Sequence, residues 1–535
     1  MKYVLLSLLC LAFIAEIALS QPENTAVSSG AVFDGEPYLA VNPTNHDNMV
    51  IAWMSYVKNP GAPLLDQFGI RVRSSFDGGI TWGNEVIMPH IRPSFQSADV
   101  SMAFHKDGKL YLEYIDYTRT PLDSGVIVAA HSTDGGKSWS TPIEAFNYYD
   151  NDDAPIDRPW MVIDNSGTAS DGTIYITTKP AFWDPLPNHN YMKYSTDGGM
   201  TWSQIARVDG GAYEANVIVQ PMISPAVSSD GTFLAAYASW PAYTDPVKYT
   251  LAASTDKGAT YTRTTVYVPT VGSKGDTLSK LGYRLAVNPL DPKNMIFVTI
   301  DARNGDNDVF SAVTFDGGAT WTSGLRVNDD PVGNGVLQDL IWATYSDNGK
   351  CVISWRDRRN GDSTGYEKGS DIYFAVSTDG GKSFGKNIRL SNTTAAWTEV
   401  LDHPGNDFHT SAIINDSIRA TWGDTRSGKL SIYFAKAALS DGIANVVKVS
   451  GDENTFSVYP NPAVNEATIK LALEEPDNIE VSMYDLSGKE ILHYSFIRTN
   501  MLSQIVDLSK IADGIYVIIA KTSKEIYSQK FSVTH

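Results

Sequence analysis

The 535-residue chain is poor in cysteine, holding only Cys10 and Cys351. Cys10 falls in an N-terminal stretch that reads as an export signal. The mature chain then keeps one thiol, and no intramolecular disulfide holds it together. Cys351 opens the apolar run Cys351-Val-Ile-Ser-Trp355 and reads as a small buried hydrophobe rather than a nucleophile. Basic residues are also scarce: 42 Lys and Arg stand against 61 Asp and Glu, for a formal net charge of −19. Such a surface repels phosphate backbones and argues against a nucleic-acid partner. Beyond the N-terminus no apolar run is long enough to span a bilayer. No glycine-rich phosphate loop precedes a helix, and the histidines are scattered without zinc or iron spacing.

What is present is ordinary globular material, 42% hydrophobic and 19% charged, enough for more than one core. Residues 1–20 read as a signal peptide: Lys2, an apolar run from Val4 to Ile14, then Ala18-Leu19-Ser20 before Gln21. Ser7-Leu8-Leu9 lacks the small residue that lipoprotein cleavage before Cys10 requires. Lipid anchoring is therefore disfavoured.

One motif then recurs, Ser-x-Asp-x-Gly-x-x-Trp. It runs from Ser75 to Trp82, Ser132 to Trp139 and Ser195 to Trp202, with variants at Ser254 to Tyr261, Thr314 to Trp321 and Ser377 to Phe384. The aspartates Asp77, Asp134, Asp197, Asp256, Asp316 and Asp379 are separated by 57, 63, 59, 60 and 63 residues. Each copy follows a β-rich run, and its Asp-Gly core supplies the side-chain bonds and positive φ of a hairpin turn. These motifs are structural. A second repeat precedes each box, as in Glu36-Pro-Tyr-Leu-Ala-Val41, Asp99-Val-Ser-Met-Ala-Phe104 and Arg158-Pro-Trp-Met-Val-Ile163, and it occurs seven times. The seventh box has decayed to Ser440-Asp441-Gly442. Units of about sixty residues with several short strands predict an all-β protein whose residues 21–450 form a β-propeller. Seven blades are favoured and six are possible; a solenoid is the alternative. Residues 451–535, with strand-and-turn elements at Met483 to Lys489, Asp513 to Val517 and Lys530 to Val533, predict a small β-sandwich.

The boxes resemble the BNR or Asp-box repeats of the sialidase-like propeller superfamily. The elements Tyr459-Pro-Asn-Pro462, Asp485-Leu-Ser-Gly488 and Gly514-Ile-Tyr-Val517 resemble the C-terminal sorting domain of type IX secretion cargo in Bacteroidetes. The second resemblance implies dealings with the secretion machinery and release to the medium or the cell surface. The first implies a glycan-active propeller. Two departures stand beside it: sialidases have six blades, and their first-blade Phe/Tyr-Arg-Ile-Pro motif is replaced here by Val32-Phe-Asp-Gly-Glu-Pro-Tyr38. No catalytic residue is carried over by motif.

Candidate residues follow from propeller geometry. The starts of the inner strands share one face, where pockets form about the axis, and the boxes lie on the other. The inner strands begin with Glu36, Asp99, Asp157 with Arg158, Arg284, Asp339 and His409. These positions differ in charge from unit to unit, as one asymmetric site requires, though such residues also pair with one another at a channel mouth. The pattern Asp-x-Arg-x-Gly recurs from Asp301, Asp357 and Asp424 and reads as a turn with an internal bridge. Arg356 stands outside it and is the better functional candidate. A sialidase mechanism needs arginines, a tyrosine nucleophile with a glutamate, and an aspartate acid. The types are present as Arg158, Arg284 and Arg356, Tyr283, Glu214 and Asp99. Glu36, Trp183, Trp240, Asp339 and His409 are candidates for substrate contact, Trp183 and Trp240 because flat rings suit sugars and equally because rings pack loops. No cofactor is implied. The loops Asp150-Asn-Asp-Asp153 and Asn304-Gly-Asp-Asn-Asp308 have the oxygens for a structural calcium, as do ordinary acidic turns.

The expectation is a monomeric, secreted, sialidase-like glycoside hydrolase acting on an extracellular glycan or glycoprotein. The alternatives are a non-catalytic glycan- or protein-binding propeller and a polysaccharide lyase.

Overall fold

The computed structural model describes residues 22–28, 32–57, 67–118, 121–152, 154–181, 186–218, 221–269, 282–361, 367–398, 406–441, 456–485, 490–522 and 526–535. Trp183 lies outside them. The chain divides into two compact units, Met1–Ile443 and Ala444–His535.

The first unit contains seven four-stranded antiparallel sheets among its described residues. Their innermost strands are Phe33–Val41, Gln96–Phe104, Asp157–Ile163, Ile223–Val227, Tyr283–Val287, Gln338–Tyr345 and Thr410–Ile414. Each inner strand touches the next, and the seventh touches the first, so the ring closes as a seven-bladed propeller. Blades 1 to 6 are each built from consecutive strands. Blade 7 takes its outer strand from the N-terminus: Asn24–Ala26 pairs with Ser431–Ala438, Thr25 opposite Phe434. That exchange seals the ring and leaves blade 7 no open edge at its last hairpin. Side chains stitch the seam as well. Thr410 Oγ1 accepts a 2.8 Å bond from the Leu39 amide, as Ser101 Oγ accepts from the Met161 amide and Ser224 Oγ from the Leu285 amide between other blades.

The recurrent boxes turn the third strand of a blade into the fourth. In the first, Ser75 Oγ donates to Asp77 at 2.8 Å, and the Gly79 amide donates to Ser75 Oγ at 2.9 Å. The Thr81 amide donates to Asp77 at 2.9 Å. Gly79 has φ +87°, and a Cβ there would stand 2.4 Å from a ring carbon of Phe434 in blade 7. Trp82 meets that same ring edge-on at 5.4 Å. Gly79→Ala therefore combines backbone strain with a clash and is expected to destabilise the propeller by about 1–3 kcal/mol, read as a lowered denaturation midpoint. A stability within a few tenths of wild type would show that Phe434 yields freely.

The repeated Asp-x-Arg turns carry internal bridges. Arg303, Arg359 and Arg426 pair with Asp301, Asp357 and Asp424 at 2.9, 2.9 and 2.6 Å. Their amides close the turns onto the same aspartates at 2.8–2.9 Å. Cys351 is fully buried between strands, and burial raises its thiol pKa.

The second unit has five described strands. The long Glu466–Asp485 strand pairs through its first half with Phe456–Tyr459 and through its second half with Gly514–Lys521, and Glu490–Asp507 follows both halves. Its separate core includes Phe456, Val481, Ile518 and Phe531. No helix among the described residues is long and apolar enough to cross a membrane.

Candidate active site

Four inner strands begin with the same irregularity. Register breaks between Gly35 and Tyr38, Ala98 and Ser101, Asp157 and Trp160, and Asp339 and Trp342. Inside each break one residue is left-handed: Glu36 at φ 53°, Asp99 at 51°, Arg158 at 52° and Leu340 at 46°. A bulge of this kind re-aims a side chain, and holding a non-glycine residue there costs about 1–3 kcal/mol. Blades 1, 2 and 3 place a charged residue at that position. All three line one cleft of about 310 Å³, together with Asp157 and apolar walls that include Phe68, Ile115 and Ile156.

Arg158 ties the cluster together. Its backbone amide donates to Asp99 Oδ2 at 3.3 Å. Its guanidinium pairs with Asp407, which precedes the inner strand of blade 7, and lies 3.9 Å from Glu36 Oε1. Burial opposes the charge on Arg158, but Asp407, Asp99 and Glu36 outweigh it and raise its pKa. On the other side Lys179 pairs with Asp157 and donates to the Pro180 carbonyl at 3.2 Å.

The two carboxyls at the centre have opposite exposure. Glu36 is 2% exposed, and its Oε2 is buried without a hydrogen-bond partner. Burial first, then the Asp99 charge, raises its pKa far above the ordinary carboxyl range. Asp99 is half-buried at the cleft. Burial raises it to about 6 against the pull of Arg158, and a hydrogen bond links the two acids. Such a pair holds a proton near neutrality and can exchange it with a bound molecule.

The axis itself is filled. Rings of Tyr38, Trp160, Trp342 and Phe408 contact one another at centroid distances of 5.2–5.9 Å. Arg284 lies over Trp342 at 3.9 Å and hydrogen-bonds Tyr38, and burial lowers its pKa. The sequence-based expectation of a pocket about the axis is thus replaced by a cleft displaced over blades 1 to 3, because bulky inner-strand residues plug the channel.

The other candidates fall elsewhere. Arg356 binds Asp339 through two bonds of 2.7 and 2.6 Å, and Arg358 adds a third at 3.1 Å. Burial works against the Asp339 charge, but the two arginines hold its carboxyl far below the usual range. His409 is buried beside them, 2.9 Å from Ser354 Oγ. Burial and the Arg356 charge push it down to about 3, so it stays neutral. Tyr283 packs with Tyr249 and Phe297, gives its hydroxyl proton to the Met222 carbonyl, and is raised by burial. That is no setting for a nucleophile. Glu214 pairs with Arg207 at 3.0 Å on blade 4's approach. Trp240 is buried, donates to the Asp245 carbonyl at 3.0 Å and packs against Tyr243 of its own loop.

Sequence reasoning missed Asp407 and Lys179. Asp407 stands two residues before the His409 repeat position, and Lys179 ends a second strand; neither belongs to a pattern. In the acidic loops, Asp150 is bound by Lys193 at 2.6 Å and Asp308 by Arg326 at 2.7 Å. No cluster of metal-ligating residues occurs among the described residues. A larger groove, about 500 Å³, lies between the first two boxes on the opposite face. Its acid, Asp77, is held down to about 2 by Thr81 and Ser75, so it exchanges no proton near neutrality.

The secretion system C-terminal sorting domain family matches residues 457–534, and the BNR/Asp-box repeat family matches residues 193–204. The chain thus carries an Asp-box β-propeller followed by a sorting domain of the type IX secretion system. That tail directs the protein to the secretion machinery and to the cell surface or the medium. No curated protein matches the chain. Among solved structures it is similar to a protein of unknown function from Dyadobacter fermentans, at 16% identity and TM-score 0.44 over 65% of this chain and 96% of that one. It is also similar to the α-L-arabinofuranosidase Arb93A of Fusarium graminearum, at 16% identity and TM-score 0.42 over 66% and 97%. The NanB sialidase of Streptococcus pneumoniae gives 12% identity and TM-score 0.41 over 80% and 72%.

Proposed function

We propose that this protein is a secreted glycan-active propeller, and that its cleft hydrolyses a glycosidic bond with Asp99 as the acid and base. The observation that carries this reading is the meeting of Glu36, Asp99 and Arg158, from three blades and on three left-handed bulges, at the wall of one cleft. Asp99 reaches the cleft and gives its proton to the glycosidic oxygen as the bond to the anomeric carbon breaks. Asp157, bridged to Lys179, places negative charge beside the carbon that becomes positive. Water adds to that carbon, and its proton returns to Asp99. Glu36 behind it stores a proton, and Arg158 fixes the position of both acids.

The test is product analysis by mass spectrometry after incubating the full chain with a panel of oligosaccharides. Released reducing sugar from wild type and none from Asp99→Asn supports the hydrolase. The ring-filled axis favours a second reading, a binding propeller; glycans retained by the protein but never cleaved would establish it. Unsaturated uronic products would instead identify a lyase.

A further inference from the structure

We infer that the cleft selects an uncharged sugar and discriminates against sialic and uronic acids; this rests on the glycan reading proposed above. Recognition of a carboxylate in a half-buried site needs a cation whose hydrogen-bonding edge is available to it. The three arginines that sequence offers for that task are all engaged. Arg356 spends two nitrogens on Asp339. Arg284 is sunk among Tyr38, Trp160 and Trp342 on the axis. Arg158 is the one cation lining the cleft among the described residues, and its guanidinium is shared between Asp407 and Glu36.

The charges at the cleft also cancel internally. Asp407 answers Arg158, and Asp157 answers Lys179. Glu36 is buried, and burial raises its carboxyl pKa well above the ordinary range. That leaves Asp99, which the chemistry needs for proton transfer. An anionic sugar would bring its carboxylate against Asp99 and Asp157 with no further cation among the described lining residues in compensation, and like charges repel. A cationic amino sugar would have to take Asp99 out of its proton-transfer role. The remaining lining is apolar, with Phe68, Ile115, Tyr117 and Ile156 among its walls. Carbon faces of a sugar ring stack on such walls while a few polar groups orient the hydroxyls.

Matched probes test this by calorimetry on the full wild-type chain, which keeps the Asp99 carboxyl, with sulfur-linked disaccharide analogues that resist hydrolysis. The pairs are galactobiose against digalacturonate, lactose against 3′-sialyllactose, and chitobiose against its de-acetylated, cationic form. Wild-type cleavage of the same pairs in their oxygen-linked form is followed in parallel. The expected result is at least tenfold tighter binding of the neutral member wherever a pair binds, and cleavage confined to neutral sugars. A second variant, Asp407→Asn, releases Arg158 from its partner and is expected to narrow that preference at least threefold. Tighter binding or faster cleavage of an acidic or cationic member overturns the inference while leaving the hydrolase reading intact. Failure of every probe to bind or be cleaved removes the glycan reading, and the charge preference with it.

Discussion

Asp99→Asn is expected to lower turnover by about 10²–10⁴-fold, the usual contribution of a positioned acid and base. The amide keeps the shape and the bond from the Arg158 amide but carries no exchangeable acid proton. Fold should survive, and the same substitution should change stability in a direction that an ordinary loss of contact does not predict. Burial raises Asp99 from the ordinary range to about 6 in the folded chain. A carboxyl raised on folding stabilises the native state fully below its unfolded pKa, near 3.9, and that contribution is lost as pH rises through the folded value. Wild type is therefore expected to lose melting temperature between pH 4 and pH 7, and Asp99→Asn, neutral throughout, to lose less. Activity requiring the protonated acid falls over the upper part of the same window. A variant with wild-type turnover, or with an unchanged pH slope of melting, would remove Asp99 from the centre of the site.

Asp339→Ala is expected to be the most damaging single change outside the cleft. It removes the carboxylate shared by Arg356 and Arg358, which are 3% and 1% exposed, and breaking a buried ion pair by removing one partner costs about 3–5 kcal/mol. That is a large part of the roughly 5–15 kcal/mol that holds a typical domain folded. Chemical denaturation of the full chain measures it. The pH dependence has the opposite sign to that of Asp99. A carboxyl lowered on folding contributes stability above its unfolded pKa, and the contribution is lost as pH falls below about 4. Asp339→Ala should therefore show less acid sensitivity than wild type below that pH. A loss under 1 kcal/mol would mean that water reaches both guanidinium groups.

Much of the propeller was legible because its signals are local and repeated. Each box closes through bonds spanning two to four residues, such as Ser75 to Asp77 and Gly79 to Ser75, so spacing alone reveals it. The start of each inner strand was legible for the same reason, and it led to Glu36, Asp99 and Arg158. What sequence did not show was which of seven similar positions meet. Glu36, Asp99 and Arg158 occupy the left-handed bulge position that Leu340 holds in blade 6, whereas Asp339 and His409 do not, and three-dimensional neighbourhood separates the cleft from the buried Arg356 cluster. Asp407 was invisible because its partner lies 249 residues away. Tyr283 and Glu214 had the right chemistry for a catalytic tyrosine and its activating glutamate, but one faces a core of rings and the other an arginine in the outer strand of blade 3.

The strand exchange at blade 7 has a temporal consequence. Arg158 reaches Asp407 from blade 7, Glu36 from blade 1 and Asp99 from blade 2, so the cluster straddles the junction where the ring is sealed by residues 24–26 against residues 431–438. A nascent chain that stops short of residue 407 has neither the closing strand pair nor the anion that steadies Arg158. The cleft can be completed only once the whole propeller is available to fold, which ties its formation to the end of folding rather than to any single blade.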